Sequence, residues 1–386
     1  MRNFLFALLL AVSPAHAQAP LVVGAAMPQT GILADLAADL RKALLLWQEE
    51  VNAGGGLDGR RVELQLLDDR SESLEAGRLY EQLIREHKAD LLIGPFGAAA
   101  TLGAAAVAER SRRVLVNATG ASRRVHRSRF RYVFQVATPL AAWGIGALEL
   151  ARAQGIRRIL LLARDDPSSR EMAESAKAAA AAFGLSAGEI AVHGHGATDF
   201  ATQVARARAE GAEAWIAFGL PPDAVEMVKT FRRMGYAPRL FAAQGAADPA
   251  FLARVGQDGE YAVGIAAYDR RARTRGNAEF VQAFAKRWSS EPGLLAAEGY
   301  AAGKILEEAV RRAGSLDQEK LREVLAALEV ETPLGPYRVE RDGGQLAART
   351  LLLQVQRGRR EIVWPEALAT SAWQPVPAWD ARKPLK

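Results

Sequence analysis

The chain of 386 residues contains no cysteine and only 5 histidines, and aromatic residues make up 7% of it. Without cysteine there is no disulfide, no thiolate nucleophile, no cysteine-based metal site and no attachment point for a lipid at an export cleavage site. Long apolar runs are also missing. The longest near the start, Phe4 to Val12, falls well short of the ~20 residues that a membrane-spanning helix needs. A serine elbow of the form G-x-S-x-G is absent, as is a phosphate loop, whose glycines must lead into Lys and Ser/Thr. The G-x-G-x-x-G dinucleotide turn is not formed by Gly94-Pro95-Phe96-Gly97. These absences argue against catalysis and against nucleotide binding.

What is present begins with MRNFLFALLLAVSPAHA. Arg2 gives a positive start, Phe4 to Val12 a short apolar core, and Ala15-His16-Ala17 a small-x-small cleavage site. Residues 1–17 are expected to be a secretory signal, leaving a soluble chain in the periplasm. Hydrophobic residues make up 49% of the sequence, enough to fill the cores of two domains. The formal net charge is +6. Most basic residues are dispersed, but Arg112, Arg113, Arg123, Arg124, Arg127, Arg129 and Arg131 cluster. A solvated face explains this cluster most simply, and a field that draws an anionic solute towards a cleft is the sharper alternative. Nucleic acid is not an expected partner of an exported chain that lacks interleaved aromatic and basic residues.

Strands and helices then alternate. Leu21 to Gly24 reads as a strand, Leu33 to Val51 as a helix stopped by a glycine run, Val62 to Leu66 as a strand and Leu74 to Glu86 as a helix. Asp90 to Ile93 is a strand, Ala98 to Ser111 a helix and Val114 to Val116 a strand. After Thr138-Pro139 the rhythm restarts, with helices over 141–154, 168–183, 200–210 and 223–234 and strands over 158–162, 214–218 and 240–243. Helices over 278–288, 296–313 and 317–328 follow, then antiparallel strands at 335–339 and 349–355. The pattern predicts an α/β fold of two doubly wound parallel-sheet lobes with no flexible linker between them.

Chemical constellations are sparse. His193-Gly194-His195 with Asp199 has no metal-ligand spacing, so no metal or other cofactor is expected. Asp68-Asp69 reads as a strand end above a turn, with Ser71 as a helix cap, rather than as an acid–base pair. The helix starts after strands, at 94–98, 117–122, 165–169 and 219–223, all fall on the sheet edge where open α/β folds hold ligands.

The stretch from Val22 to Asp69, with its Asn52-Ala53-Gly54-Gly55-Gly56-Leu57-Asp58-Gly59-Arg60 turn, resembles the opening of the periplasmic leucine/isoleucine/valine-binding proteins. These are type I substrate-binding components of ABC importers. Ile93-Gly94-Pro95, the loop from Val114 to Ser122, Phe241 to Gln244 and Gly299-Tyr300-Ala301-Ala302 extend the resemblance over nearly the whole mature chain. It implies two lobes joined by three crossovers that close on a small solute, with residues 18–138 and 267–332 in the N-terminal lobe and 139–266 and 333–386 in the C-terminal lobe. It also implies a monomer that delivers its solute to a membrane permease.

Carried over by position, backbone N–H groups at Ala98 and in the loop Ala118-Thr119-Gly120-Ala121 would hold a ligand carboxylate, with Thr119 or Ser122 adding a hydroxyl. Close helix–strand packing is the alternative use of these small residues. The family's ammonium-binding acid falls on Gln244, and its aromatic positions fall on Leu36, Ser168 or Ser169, and Leu220 or Pro221. A buried ammonium without a counter-charge is costly. The expected solute is therefore a carboxylate with an apolar or aromatic body, unless Asp165, Asp166 or Asp223 restores the acid. Three rival readings are a sensory binding protein of the same fold, an exported hydrolase and a nucleic-acid binder.

Overall fold

The structure, a computed structural model, describes residues 19–127 and 129–382. The expected signal segment lies outside them. Nine elements build the first sheet and its cover: β1 (Leu21–Met27), α1 (Ala34–Ala53), β2 (Val62–Asp68), α2 (Ala76–Arg85), β3 (Leu91–Ile93), α3 (Ala98–Ser111), β4 (Leu115–Asn117), α4 (Arg123–Arg127) and β5 (Val133–Gln135). The strands run in the order β2-β1-β3-β4-β5, all parallel. Their pleat sorts side chains to opposite faces. Val23, Ala25, Met27, Ile93 and Val116 face a core shared with α1, whereas Ala26, Leu92 and Leu115 face α2 and α3. Burial on both faces explains why these strands read as unbroken apolar runs rather than as alternations.

The second sheet follows with α5 (Ile145–Ala153), β6 (Arg158–Arg164), α6 (Pro167–Ala180), β7 (Ser186–Ala187), β8 (Ala191–His193), α7 (Ala201–Glu210), β9 (Ala214–Phe218), α8 (Pro221–Met234), β10 (Leu240–Ala243), α9 (Pro249–Val255) and β11 (Val263–Ala266). The chain then returns to the first lobe. There α10 (Asn277–Trp288), α11 (Leu294–Ala313) and α12 (Gln318–Ala327) pack into the α1 side of the first core. After the hairpin β12 (Val330–Thr332) and β13 (Gly335–Tyr337), a third crossing leads to β14 (Leu351–Gln356) and β15 (Arg359–Trp364). The second sheet has the order β15-β14-β11-β10-β9-β6-β7, with β8 also paired to β6; β14 and β15 are antiparallel additions to a parallel sheet. Ile159, Leu161 and Ala163 face α5 and α6, while Leu160 and Leu162 face α7 and α8.

Two lobes with parallel sheets and three crossings are therefore the observed architecture. Several details differ from the sequence reading. The helix expected over 141–154 is a short 3-10 turn at Leu140–Ala142 followed by α5. Gly144, between them, packs so closely on Ala176 that a Cβ there would lie 2.7 Å from the Ala176 side chain. The strands β5, β7, β8, β11 and β12 have two to four residues each and carry no legible period. β15 was not evident either, because Arg359-Arg360-Glu361 opens it on a polar note.

Candidate functional site

The loop that follows β4 in the first lobe meets α6, the helix that follows β6 in the second. The Glu171 carboxylate, on α6, accepts from Ser122 Oγ at 2.7 Å and from the Arg123 N–H at 2.9 Å. The carboxyl ends of the two sheets thus face one another, which is where the expected site residues stand.

On the first lobe, two loops satisfy each other. Thr119 Oγ1 accepts from the Gly97 N–H at 2.7 Å and donates to the Pro95 carbonyl at 3.0 Å. Asn117 Oδ1 accepts from the Gly120 N–H at 2.8 Å, and Asn117 Nδ2 donates to the Gly120 carbonyl at 2.9 Å. Gly120 has no room for a side chain, because a Cβ would lie 2.3 Å from Thr101 Oγ1. Ala118 is buried in the first core, and the Ala121 carbonyl accepts from the Leu140 N–H at 3.1 Å. The protons of the Thr119 and Ser122 hydroxyls are therefore committed within the protein, and so is the Gly120 N–H. The start of α3 is different. No side chain caps it, and the N–H groups of Ala98, Ala99 and Ala100 precede any intrahelical acceptor. Ala98 is half-buried there. With a helix of 14 residues behind it, this end carries roughly half a positive charge.

On the second lobe, a cavity of about 530 Å3 opens between the lobes. Leu220, Pro221 and Gln244 line it, with Ile265, Ala266 and Leu353 from the sheet, Trp143 and Tyr268 from two of the crossings, and Leu294 from the start of α11. Leu220 and Gln244 come together because Gly245 lets two turns touch: a Cβ on it would lie 2.3 Å from the Leu220 carbonyl oxygen. Gln244 is half-buried at the start of a 3-10 turn, and Leu220 is 49% exposed. Trp143 is 91% buried, yet its Nε1–H has no partner among the described residues. Leu36 (on α1) and Ser168 (in the first turn of α6) are exposed and line no part of this cavity; the Ser168 N–H is taken by Asp166.

The neighbouring acids are occupied. Asp223 is 98% buried, where it accepts from the Leu220 N–H at 2.7 Å and lies 3.5 Å from Arg164. Asp166 caps α6 through the N–H groups of Ser168 and Ser169, and Asp165 pairs with Arg170 on the surface. None of the three points a free carboxylate at a solute. Asp68 is also structural. Burial raises its pKa, but Thr30 Oγ1 and the N–H groups of Gln29, Arg70 and Thr30 outweigh that and hold it at about 2. Ser71 does not cap the following helix as the sequence suggested. It accepts from the Leu33 N–H and donates to the Thr30 carbonyl, tying the entrance of α1 to the end of β2. Among the described residues no cluster of three or more His, Cys, Asp or Glu is placed to hold a metal, and no helix is long and apolar enough to cross a membrane. His193 packs edge-on against Phe200. The clustered arginines at 112, 123, 124, 127, 129 and 131 are exposed, and Arg113 is half-buried.

Trp143, Tyr268 and Arg360 were missed in the sequence. The two aromatics follow crossings, at Thr138-Pro139 and Ala266-Ala267, and an aromatic at each entry to a new lobe was the available signal. Arg360 gave none, because only the pairing of β15 decides which way it points.

A solute-binding protein with two hinged α/β lobes is the class that this fold and cleft define. The chain belongs to the periplasmic binding protein family, whose model matches residues 20–360, and is a binding protein rather than an enzyme. It is 25% identical over 334 residues to an amino acid binding protein of Pseudomonas aeruginosa, covering 85% of this chain and 88% of that one. Among solved structures, a putative branched-chain amino acid ABC transporter protein from Silicibacter pomeroyi matches with a TM-score of 0.83 at 19% identity, over 93% of this chain and 100% of that one. A solute-binding protein of an R. palustris ABC transporter, in complex with benzoate, matches with a TM-score of 0.70 at 20% identity, over 94% and 99% of the two chains.

Proposed function

We propose that the protein is the extracytoplasmic solute-binding component of an ABC importer. It captures a small carboxylate with an apolar or aromatic body between its lobes and delivers it, unaltered, to a permease in the inner membrane. It works as a monomer in the periplasm, and its first 17 residues are removed on export. Residues 18–138 move as one unit with α10, α11, α12 and the β12–β13 hairpin, and the second sheet with its helices as the other; the expected boundary at 332/333 would split that hairpin, whose Tyr337 and the following Val339 lie in the first core.

One observation carries this reading: Leu220, Ile265, Ala266, Leu353, Trp143 and Leu294 give the interlobe cavity an apolar part, and beside it stands the neutral amide Gln244, at the position the family resemblance gives to an ammonium-binding acid; the uncapped start of α3 lies at the carboxyl edge of the first sheet, outside the residues that line this cavity. In this reading closure of the lobes brings the Ala98 N–H at the start of α3 to the solute carboxylate, the loop Ala118–Ala121 supports that helix start, Leu220 covers the body, and Gln244 bonds a hydroxyl, carbonyl or amide on it. Leu36 and Ser168, now outside the cavity, join the site when the lobes close. The likeness to an amino acid binding protein and to a benzoate-bound structure supports the solute class. Asp223, Asp166 and Asp165 are all engaged elsewhere, which favours an acid without an ammonium.

The test is a thermal-shift screen of branched-chain amino acids, benzoate, hydroxybenzoates and short fatty acids, followed by titration calorimetry on each hit. A ligand that binds only the folded protein raises the melting temperature. The reading predicts a rise with aromatic or apolar acids larger than with leucine. A larger rise with leucine would overturn the choice of solute, and turnover of the bound compound would overturn the reading altogether.

A further inference from the structure

Arg360 lies near the start of β15, half-buried, and lines the interlobe cavity together with Gln244. Its Nη1–H donates to the carbonyl of Ala247, the last residue of the 3-10 turn that Gln244 opens. A guanidinium has five N–H donors in a planar fork, so this one bond leaves most of them free.

The acids of the cavity wall are held by other partners. Asp269 receives Nε and Nη2 of Arg271 at 2.9 and 3.0 Å. Glu291 pairs with Arg270, and Asp39 with Lys42 at 3.1 Å. Asp248 caps the Ala250 N–H at 2.7 Å. Among the described residues no carboxylate stands within ion-pair distance of Arg360, although the charges of Asp269 and Asp248 are near enough to be felt. Burial pushes its guanidinium below the usual arginine range, the sign of a cation stripped of part of its water. Such a group binds an anion more strongly than an exposed arginine would, because the local dielectric is lower. The unpartnered Trp143 Nε1–H faces the same need for an acceptor.

We propose that Arg360 is a second anion anchor in the cleft, and that the solute carries a second anionic group at the end of its apolar body opposite the carboxylate held at α3. The fork of Arg360 takes this group in a bidentate pair, and Gln244 donates to it from the side. This rests on the proposed function, and it narrows the solute class from monocarboxylates to dicarboxylates or acids with an equivalent anionic terminus.

Two matched pairs of acids test it by titration calorimetry on the purified protein: benzoate with terephthalate, and hexanoate with adipate. In wild type the dianion of at least one pair should bind about 10-fold tighter or more than its monoanion, the range of one charged hydrogen-bonded contact. Arg360→Gln should abolish that preference while leaving the monoanion within about 2-fold of wild type. Arg360→Lys, which keeps the charge and can still reach Ala247, should restore part of it. Melting curves of the unliganded variants separate a lost anchor from a lost fold. Equal binding of monoanion and dianion by wild type, or an equal loss for both in Arg360→Gln, would overturn the anchor and leave the carboxylate site at α3 standing. If wild type binds none of the four acids, the carboxylate reading falls and Arg360's role falls with it.

Discussion

The two walls of the cleft divide their labour differently. On the first lobe, polar groups close on one another: Thr119 clips the Gly97 and Pro95 backbone, Asn117 clips both sides of Gly120, and only the start of α3 is left open. On the second lobe, Gln244 and Arg360 stand in a cavity with hydrogen-bonding capacity to spare, while the nearby Asp223 is locked into its helix start. In the proposed reading the first wall meets its solute through the backbone and the second through side chains. Backbone donors accept any carboxylate, so that reading places selectivity between solutes mainly in the second wall.

Breaking this contrast takes substitutions whose effects on stability and on binding separate. The largest expected effect is on the first lobe's stability. Glu298 on α11 is 94% buried, and burial raises its pKa to about 8. The folded protein keeps this proton up to about pH 8, whereas the unfolded chain releases it near 4.5, so stability falls as pH rises between those values. The loss is on the order of a few kcal/mol. Glu298→Gln should flatten it, as measured by urea midpoints at pH 5.5 and 8.5; an unchanged slope would show that the group is solvated.

Gly120→Ala comes next. It drives a methyl into Thr101 and Asn117 and should cost about 2 kcal/mol of stability, together with a loss of solute affinity. A variant with native melting and native affinity would show that the loop pair is soft.

Ala98→Pro sharpens the contrast from the other side. Proline suits the first position of a helix, so stability should hold, but one N–H donor is gone. Affinity for a carboxylate should fall by about 10-fold, the scale of one hydrogen bond to a charge. Unchanged titration curves would move the carboxylate elsewhere.

The smallest effect belongs to Gln244→Ala, which should weaken binding by a few-fold with no change in melting temperature, because the half-buried amide has no structural partner to abandon. A drop in melting temperature instead would make Gln244 part of the scaffold.

The layered α/β architecture was legible because parallel strands buried on both faces must be apolar throughout, and the helices between them must end in glycine or polar stops. Leu21–Met27, Arg158–Arg164 and Ala214–Phe218 carry that signature plainly. Leu220 was legible because it falls at a helix start after a strand, and Gln244 only through the family resemblance; both line the interlobe cavity. Whether a polar group there is free was not legible. Thr119 and Asp223 look like ligand contacts in sequence, yet their hydrogen bonds are filled by Pro95, Gly97 and Leu220. Spacing reports which edge of the sheet a residue occupies and says nothing of what neighbours it.

The sequence by itself determined two α/β lobes, the sheet edge that open α/β folds offer to a ligand, and the lack of cysteine and of a G-x-S-x-G elbow. These follow from local periodicity and from composition, which each short segment carries alone. Only the tertiary structure decided which donors and charges stay unspent: the bare start of α3 and, in the interlobe cavity, the amide of Gln244 and the guanidinium of Arg360. Such freedom is what remains after all other groups have paired, and pairing joins residues as far apart as Ala247 and Arg360, whose side chain reaches from the edge strand β15 to the turn after β10, with β14 and β11 between those two strands in the sheet.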